Sequence, residues 1–472
     1  MSDSERLTAR RFGVHQFIHW AAVGVMVPVM TLVLRQLGLS LFEVGLAMAA
    51  YSLTTVILEV PSGALADLWG RKKTYLLGTL SDVAAAVLFL SFSGLGMVVV
   101  AASLKGAGRA FASGSLEALA VETIRRDEPE FDLNRFFSRV GMTVPAGLAL
   151  TSLLGGFLPE LAELRVFAWL SALSPANGFS VNLFFNAVLI GVAGLLAWIM
   201  FAEPTRAAAG DAASGDAAAD AGAADFGAIA AGAADTRAGG HGPIAVLRQI
   251  GRSLLFTAKT RDLLLVLLSS FAIGLVLHSV ETFWQPRLAS IIVTDNVRLF
   301  GFLGSGYFAV AVLGNGLSPL LVRVTGGSRA HAVILYRVLS GTVLFLLSLQ
   351  TQAAGFGIAY LGFFFLFAVT TPIQSAMLNE LVSDSNRSTL ISASSLIMQG
   401  GGFLGSLLFG AVSQTAGIGV SWMIAGGAFA LSTLLFVPLA RRGDRRRGAS
   451  DGAAPNAAGS GTAPGAATAG KA

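Results

Sequence analysis

The sequence predicts an all-α membrane protein: twelve transmembrane helices in two pseudo-symmetric six-helix bundles. Three observations predict it. Of the 472 residues, 54% are hydrophobic and only 12% charged, with a mean hydropathy of +0.71. Soluble domains carry about twice that share of charge, so the extra apolar surface must face lipid. Second, about twelve segments reach the ~20 apolar residues that a bilayer-crossing helix needs. Third, six segments, a polar linker and six more segments follow one another, as an internal duplication would give.

The spans are predicted at Gly13 to Leu34, Phe42 to Pro61, Thr74 to Phe92, Leu95 to Val121, Phe136 to Leu158 and Phe179 to Phe201. After the linker come Leu263 to Leu288, Phe300 to Val322, Ala332 to Leu349, Gly355 to Met377, Leu390 to Gln414 and Ile418 to Leu439. The first apolar run is too long for a signal-peptide core and lacks a convincing cleavage site, so it reads as a span. The domains expected are 1–202 for the first bundle, 203–260 for a cytoplasmic linker, 261–440 for the second bundle and 441–472 for a basic tail. Glu203 to Gly242, rich in Ala, Gly and Asp, cannot bury enough apolar surface to fold and reads as disordered. Ile244 to Lys259 places Leu247, Ile250 and Leu254 on one helical face and Arg248, Arg252 and Lys259 on another, as in a helix lying on an anionic membrane surface. The alternative is that it simply begins the next span. The tail, with its Arg441-to-Arg447 cluster, reads as disordered.

Charge placement predicts orientation. With a cytoplasmic N-terminus, Arg71 to Lys73, Arg125, Arg126, Arg135, Arg323, Arg329, Arg387 and the tail all lie inside, and only Arg35, Arg165, Arg287 and Arg298 lie outside. The net charge of +5 is thereby explained by topology rather than by nucleic acid. Both termini are expected in the cytoplasm and the chain in the plasma membrane, as a monomer. The chain has no cysteine, which excludes disulfides, thiolate catalysis and cysteine-ligated metals. The scattered histidines offer no metal site, no cofactor is implied, and no nucleophile–base set or phosphate loop suggests an enzyme.

The halves align without gaps from Tyr51–Gly70 onto Tyr307–Gly326. Gly70 then meets Gly326, but Asp67 meets Arg323. With a one-residue slip, Glu117 and Glu122 meet Gln374 and Asn379, so the second copy keeps the positions and loses the acids.

Between the second and third spans lies Gly63-Ala-Leu-Ala-Asp67-Leu-Trp-Gly70-Arg71-Lys72-Lys73. It resembles the loop 2–3 signature of the major facilitator superfamily, Gly-x-x-x-Asp-x-x-Gly-Arg-Lys/Arg, with every fixed position filled. The resemblance implies the fold of that superfamily and a conformational latch made of Gly63, Asp67, Gly70, Arg71 and Glu122. Asp67 would face the start of the eleventh helix near Asn386 to Ser388, whose positive dipole end favours an anion. Arg71 would pair with Glu122. Both contacts would hold the halves together at the cytoplasmic face and stabilise the outward-open state. One departure stands out. Antiporters of the family often carry Gly-Pro-x-x-Gly-Gly in the fifth span, whereas this chain has Gly141-Met-Thr-Val-Pro145-Ala-Gly147 and, later, Gly155-Gly156.

Charged residues inside spans need partners or a wet cavity, since each costs about 2.5–3.5 kcal/mol on insertion scales. The fourth span holds Lys105 and Arg109 one turn apart, then Glu117 and Glu122. Gly106, Gly108 and Gly114 there permit close approach. Arg109 resembles the characteristic fourth-helix arginine of proton-coupled family members, which implies proton coupling or anion binding; a structural ion pair is the alternative. Asp82, in the third span, is placed to meet Arg109 or Lys105. Glu281 shares a face with His278 and is followed by Trp284, a setting for an organic cation or a proton, or else for an interfacial position at the outer boundary. His15 and His19 read as packed or interfacial. Gln374, in Thr370-Thr-Pro-Ile-Gln374, is a cavity candidate because Pro372 frees backbone groups. The expected function is proton-coupled export of amphipathic small molecules by alternating access, in the manner of multidrug-resistance members. The alternative is proton-coupled uptake of a small, anionic metabolite held by Lys105 and Arg109.

Overall fold

A computed structural model describes residues 3–127, 133–203, 261–292, 296–381 and 387–442. Among them all regular structure is helical. Eleven helices are long and apolar enough to cross a membrane, and a bent pair makes a twelfth span. That pair is α1 (Asp3–Met26) and α2 (Met30–Gln36), set 45° apart. Pro28 sits in the break, where it supplies no N–H and cannot continue the ladder.

The second and third spans are α3 (Leu41–Trp69) and α4 (Arg71–Ser91). Ser40 and Glu43 begin α3 with a reciprocal capping box. The predicted fourth span holds as one crossing, Leu95–Arg126, with a local turn at Gly114 (φ +67°) that separates α5 (Leu95–Ala112) from α6 (Ser115–Asp127). Lys105 and Arg109 therefore lie on one helix, and Glu117 and Glu122 on another. The fifth span is likewise two pieces, α7 (Leu133–Gly141) and α8 (Thr143–Leu161). A short α9 (Arg165–Leu173) precedes α10 (Ser180–Met200), the sixth span. The second bundle contains α11 (Arg261–Ala289), α12 (Arg298–Val324), α13 (Arg329–Ser348), α14 (Ala353–Glu380), α15 (Arg387–Ala416) and α16 (Ile418–Leu431). The linker segment 204–260, its amphipathic stretch, and the tail from 443 lie outside the described residues.

The first bundle is built from α3, α4 and α5 packed together, with α1 against α8 and α10, and α10 against α4. The second repeats the plan with α11 on α15, α12 and α13 on α14, and α13 on α16. Two seams join the halves, α3 on α15 and α8 on α12. Glycine makes both seams close. A Cβ on Gly156 would fall 2.7 Å from the Gly301 backbone, and one on Gly45 would strike the Ser406 carbonyl. Lipid-side positions such as Leu80, Trp198 and Ile358 stay exposed, as a bilayer-embedded surface requires.

Among the described residues, the hydrogen bonds between halves cluster on the side away from the chain ends. Thr31 Oγ1 donates to the Thr282 carbonyl over 2.8 Å. Gln285 Nε2 donates to the Val27 carbonyl over 2.8 Å, satisfying an oxygen at the α1–α2 break. The Leu41 amide donates to Gln414 Oε1 over 2.9 Å, and Arg298 pairs with Glu160. The two bundles are thus sealed together on that side.

Candidate functional site

Arg109, on α5, points toward the second bundle. It lies deep in the protein yet keeps an accessible side chain, as a residue lining an open cavity does. Its Nη1 donates to the Tyr51 hydroxyl over 3.1 Å. Glu59 and Glu281 are the acids within its electrostatic reach. Glu281 comes from α11, so the opposite charges face each other across the interface between halves. Tyr307 donates its hydroxyl to Glu281 Oε1 over 3.1 Å. Tyr51 and Tyr307 are the residues that the internal repeat aligns, so each half presents a tyrosine that holds one of the two central charges. His278, one turn from Glu281, bonds to Gln399 and lies within electrostatic reach of Arg109. Its ring rests on Gly402, where a Cβ would come within 2.5 Å of Nε2.

Asp82 pairs with Lys105 rather than Arg109: Lys105 Nζ is 3.6 Å from Asp82 Oδ1. Gly108 makes room, since a Cβ there would sit 2.8 Å from Asp82 Cγ and 2.9 Å from the Gly78 carbonyl. The ion pair is largely enclosed, with side-chain exposures of 23% and 12%. Glu117 is half-buried in the same half, and its Oε1, enclosed, has no hydrogen-bond partner among the described residues.

The signature stretch turns at Gly70, which has φ +116° and ends α3. This left-handed backbone suits glycine alone. Arg71 Nη2 is 2.8 Å from Glu122 Oε1 and 3.8 Å from Asp67 Oδ1. Glu203, assigned to the linker by sequence, instead caps α4: its Oε1 accepts from the Lys72 amide over 3.2 Å. Lys72 Nζ donates to the Trp198 carbonyl over 2.7 Å and lies 4.6 Å from that ring's centroid. All these ties run within the first bundle. The Arg71–Glu122 pair therefore stiffens one half and does not itself cross to the other. Gly63 lies on α3 just beyond Pro61. Asn386, and the side chains of Arg387 and Ser388 against which Asp67 was expected to rest, lie outside the described residues.

The sequence profile of the Major Facilitator Superfamily matches residues 13–375, most of the chain. The chain belongs to the Major Facilitator Superfamily. An uncharacterized MFS-type transporter of Bacillus subtilis, YxaM, is 20% identical over 421 residues, covering 88% of this chain and 92% of the relative. The quinolone resistance protein NorA of Staphylococcus aureus is 22% identical over 157 residues, which is 33% of this chain and 39% of NorA. Among solved structures, the nucleoside transporter NupG superposes with a TM-score of 0.67 at 13% identity, covering 91% of this chain and 98% of the other. A bacterial homologue of the lysosomal transporter Spinster, inward-facing and occupied, gives 0.67 at 13% identity, covering 93% and 96%. At these identities the structures establish the fold alone. The protein is a multi-pass membrane transporter and not an enzyme.

For this superfamily member, two sequence candidates move away from the cavity. Trp284 is 2% exposed and packs on Tyr360 and Phe300, with centroids 5.0 and 5.8 Å away. It belongs to the aromatic core behind Glu281. Gln374 is buried inside the second bundle, where its Oε1 accepts from Arg337 Nη2 over 2.5 Å and its Nε2 faces Ser270 Oγ at 3.4 Å.

Arg337 itself escaped the sequence reading. It sits mid-way along α13 in the run Ala332 to Leu349, and it is wholly buried. Among the described residues no carboxylate pairs with it. Nη2 donates to Ser269 over 2.6 Å, Nη1 donates to Ser432 over 3.1 Å, and the guanidinium lies 5.2 and 5.0 Å from the rings of Phe429 and Phe436. One side chain thereby ties together α11, α13, α14 and the last span. The planar fork is what makes these contacts simultaneous. Arg337→Lys is expected to lower stability by about 2–3 kcal/mol through lost charge-assisted bonds. A thermal unfolding midpoint in detergent checks this; an unchanged midpoint would show that the fork is not what holds these helices.

Proposed function

We propose that the protein exports amphipathic, cationic small molecules across the plasma membrane in exchange for protons, by alternating access. One observation carries the reading. Glu281 from one half and Arg109 from the other lie within electrostatic reach across the interface between halves, each hydrogen-bonded to a repeat-related tyrosine. A carboxylate so placed can hold either a proton or an organic cation, and Arg109 makes simultaneous occupancy unfavourable. This is exchange by competition at one carboxylate. Its surroundings are rich in aromatic surface and poor in the many hydrogen-bonding groups that a sugar needs.

With the chain ends in the cytoplasm, as the positive-inside distribution directs, the seal through Thr31, Gln285 and Arg298 faces outward and the cavity opens inward. Cargo then enters from the cytoplasm. In the outward-open state Asp67, steadied by Arg71, holds the signature turn as a latch between the halves. The partial similarity to NorA, a quinolone resistance protein, supports an export reading. The uptake alternative relied on Lys105 and Arg109 to hold an anion. Lys105 is engaged by Asp82, which weighs against it.

Expression in a host stripped of its own efflux pumps tests the proposal. Accumulation of a cationic dye should fall relative to cells with an empty vector, and a proton uncoupler should abolish the difference. Equal accumulation in both, or an uncoupler-insensitive difference, would sink the reading.

A further inference from the structure

The first bundle holds a line of titratable side chains that the cavity chemistry does not use. His15 is 1% exposed, and among the described residues neither ring nitrogen has a hydrogen bond of normal geometry; the Ala193 backbone is the nearby polar group. An imidazole must carry at least one N–H, and leaving it unpaired costs about 1–3 kcal/mol. A phenylalanine would fill the same surroundings, the rings of Tyr75 and Phe201 at 5.0 and 5.8 Å, without that cost. One turn on, the His19 ring lies parallel to it at 6.3 Å. His19 Nδ1 meets the Tyr75 hydroxyl at 3.1 Å. His19 lies within electrostatic reach of Lys105, and Tyr75 within that of Asp82. Lys105 and Asp82 then form the enclosed ion pair. Arg11, one turn before His15, is exposed on the side of the chain ends.

We propose that His15, Tyr75 and His19 form a proton conduit through the first bundle, leading from the chain-end face to the Asp82–Lys105 pair without passing through the central cavity. This inference rests on the proton-coupled reading above and assigns it a route. The groups facing the histidines are Tyr75 and Asp82 from α4 and Lys105 from α5. From α10 they meet the Ala193 backbone, with the Phe201 ring just beyond that helix; α6 carries Glu117 and α3 carries Glu59, the other largely enclosed acids of this half.

The transfer balances. His15 takes a proton on one ring nitrogen; its ring, held by no hydrogen bond among the described residues and centred 5.0 Å from that of Tyr75, then turns to bring the other nitrogen to the Tyr75 hydroxyl, where it gives up its own proton. The Tyr75 oxygen accepts that proton and donates its former one to His19 Nδ1. The Lys105 ammonium first gives a proton to Asp82, 3.6 Å away, and its freed amine then swings to accept the Nε2 proton of His19. The net change is one new O–H bond on Asp82, with Lys105 still an ammonium and both imidazoles neutral in the opposite tautomer. Lys105 has then lost its counter-charge one turn from Arg109. Two cations near the cavity would expel a cationic cargo, which links proton arrival to release.

A pH-jump infrared experiment on the purified, substrate-free full chain tests the conduit. A carboxyl C=O band should rise in the unaltered protein and be missing in Asp82→Asn. Its rise should slow by about 10²-fold in Tyr75→Phe, His19→Phe and His15→Phe, the scale of a removed proton-transfer group, with the final amplitude kept. Tyr75→Phe removes one oxygen and keeps the packing, so it decides the case if a histidine variant does not fold. Unchanged rates in the folded variants, or absence of an Asp82 band, would overturn the conduit. Loss of dye export with these kinetics intact would count against export alone. Intact export with unaltered kinetics in the variants would count against the conduit alone.

Discussion

Glu281→Gln should abolish uncoupler-sensitive dye export while leaving the amount of folded protein in the membrane unchanged. The amide keeps the size of the side chain and can still accept from Tyr307, whose hydroxyl reaches Oε1 over 3.1 Å. It cannot ionise, so it can neither take up a proton nor attract a cation. The expected loss is that of a proton-transferring group, about 10²-fold or more in rate. Glu281→Asp should retain part of the activity, because the charge persists but falls short of the tyrosine by a methylene. Arg109→Ala has a different signature. Without the opposing cation, Glu281 should hold a cationic ligand more tightly and release it more slowly, so binding strengthens as turnover falls. Wild-type export by Glu281→Gln would remove this carboxylate from the mechanism.

Gly156→Leu should prise open the side that is sealed in this structure. The α8–α12 seam runs glycine against glycine there, and even a Cβ would lie 2.7 Å from the backbone of Gly301. Backbone cannot yield as a flexible side chain can. The added atoms cost about 1–3 kcal/mol in a packed setting, enough to change a near-balanced pair of states by tenfold or more. Each half should survive, since Gly156 faces across the seam. Because the chain has no cysteine, a single cysteine placed at Thr31, buried in the seal, gives a clean labelling probe of the opened side. Labelling there should rise in Gly156→Leu, and transport should fall because the opposite state becomes hard to reach. Unaltered labelling would show that the seam yields elsewhere.

The two predictions draw on different layers of information. The spans were legible in the sequence because a bilayer demands some twenty apolar residues at each crossing, and that demand is local. The signature turn was legible because Gly70 must adopt a backbone that other residues avoid, and because Arg71 and Glu122 stand at spacings whose partners the resemblance supplies. The repeat was legible too, although only the fold gives the alignment of Tyr51 with Tyr307 its meaning as a pair of matched supports. Helix breaks were not legible: nothing in the hydropathy of 95–121 marks the interruption at Gly114, since a glycine within a membrane helix is ordinary.

Partners across helices were decided only by packing. Asp82 could have met Lys105 or Arg109, and the fit of Asp82 against Gly108 selected Lys105. Trp284 follows Glu281 by three residues, yet the aromatic core behind α11 claims it. Arg337 looked like one cation in a greasy run, and only tertiary structure gathers Ser269, Gln374 and Ser432 around it from distant parts of the chain. The sequence by itself determined that this chain crosses the membrane repeatedly in two related halves and carries a family's turn, because hydropathy and backbone conformation are properties of neighbouring residues. Tertiary structure decided which charges face each other, which are walled in and which side is closed. Those outcomes depend on the approach of helices hundreds of residues apart, 251 between Thr31 and Thr282 and 373 between Leu41 and Gln414, and no local pattern encodes them.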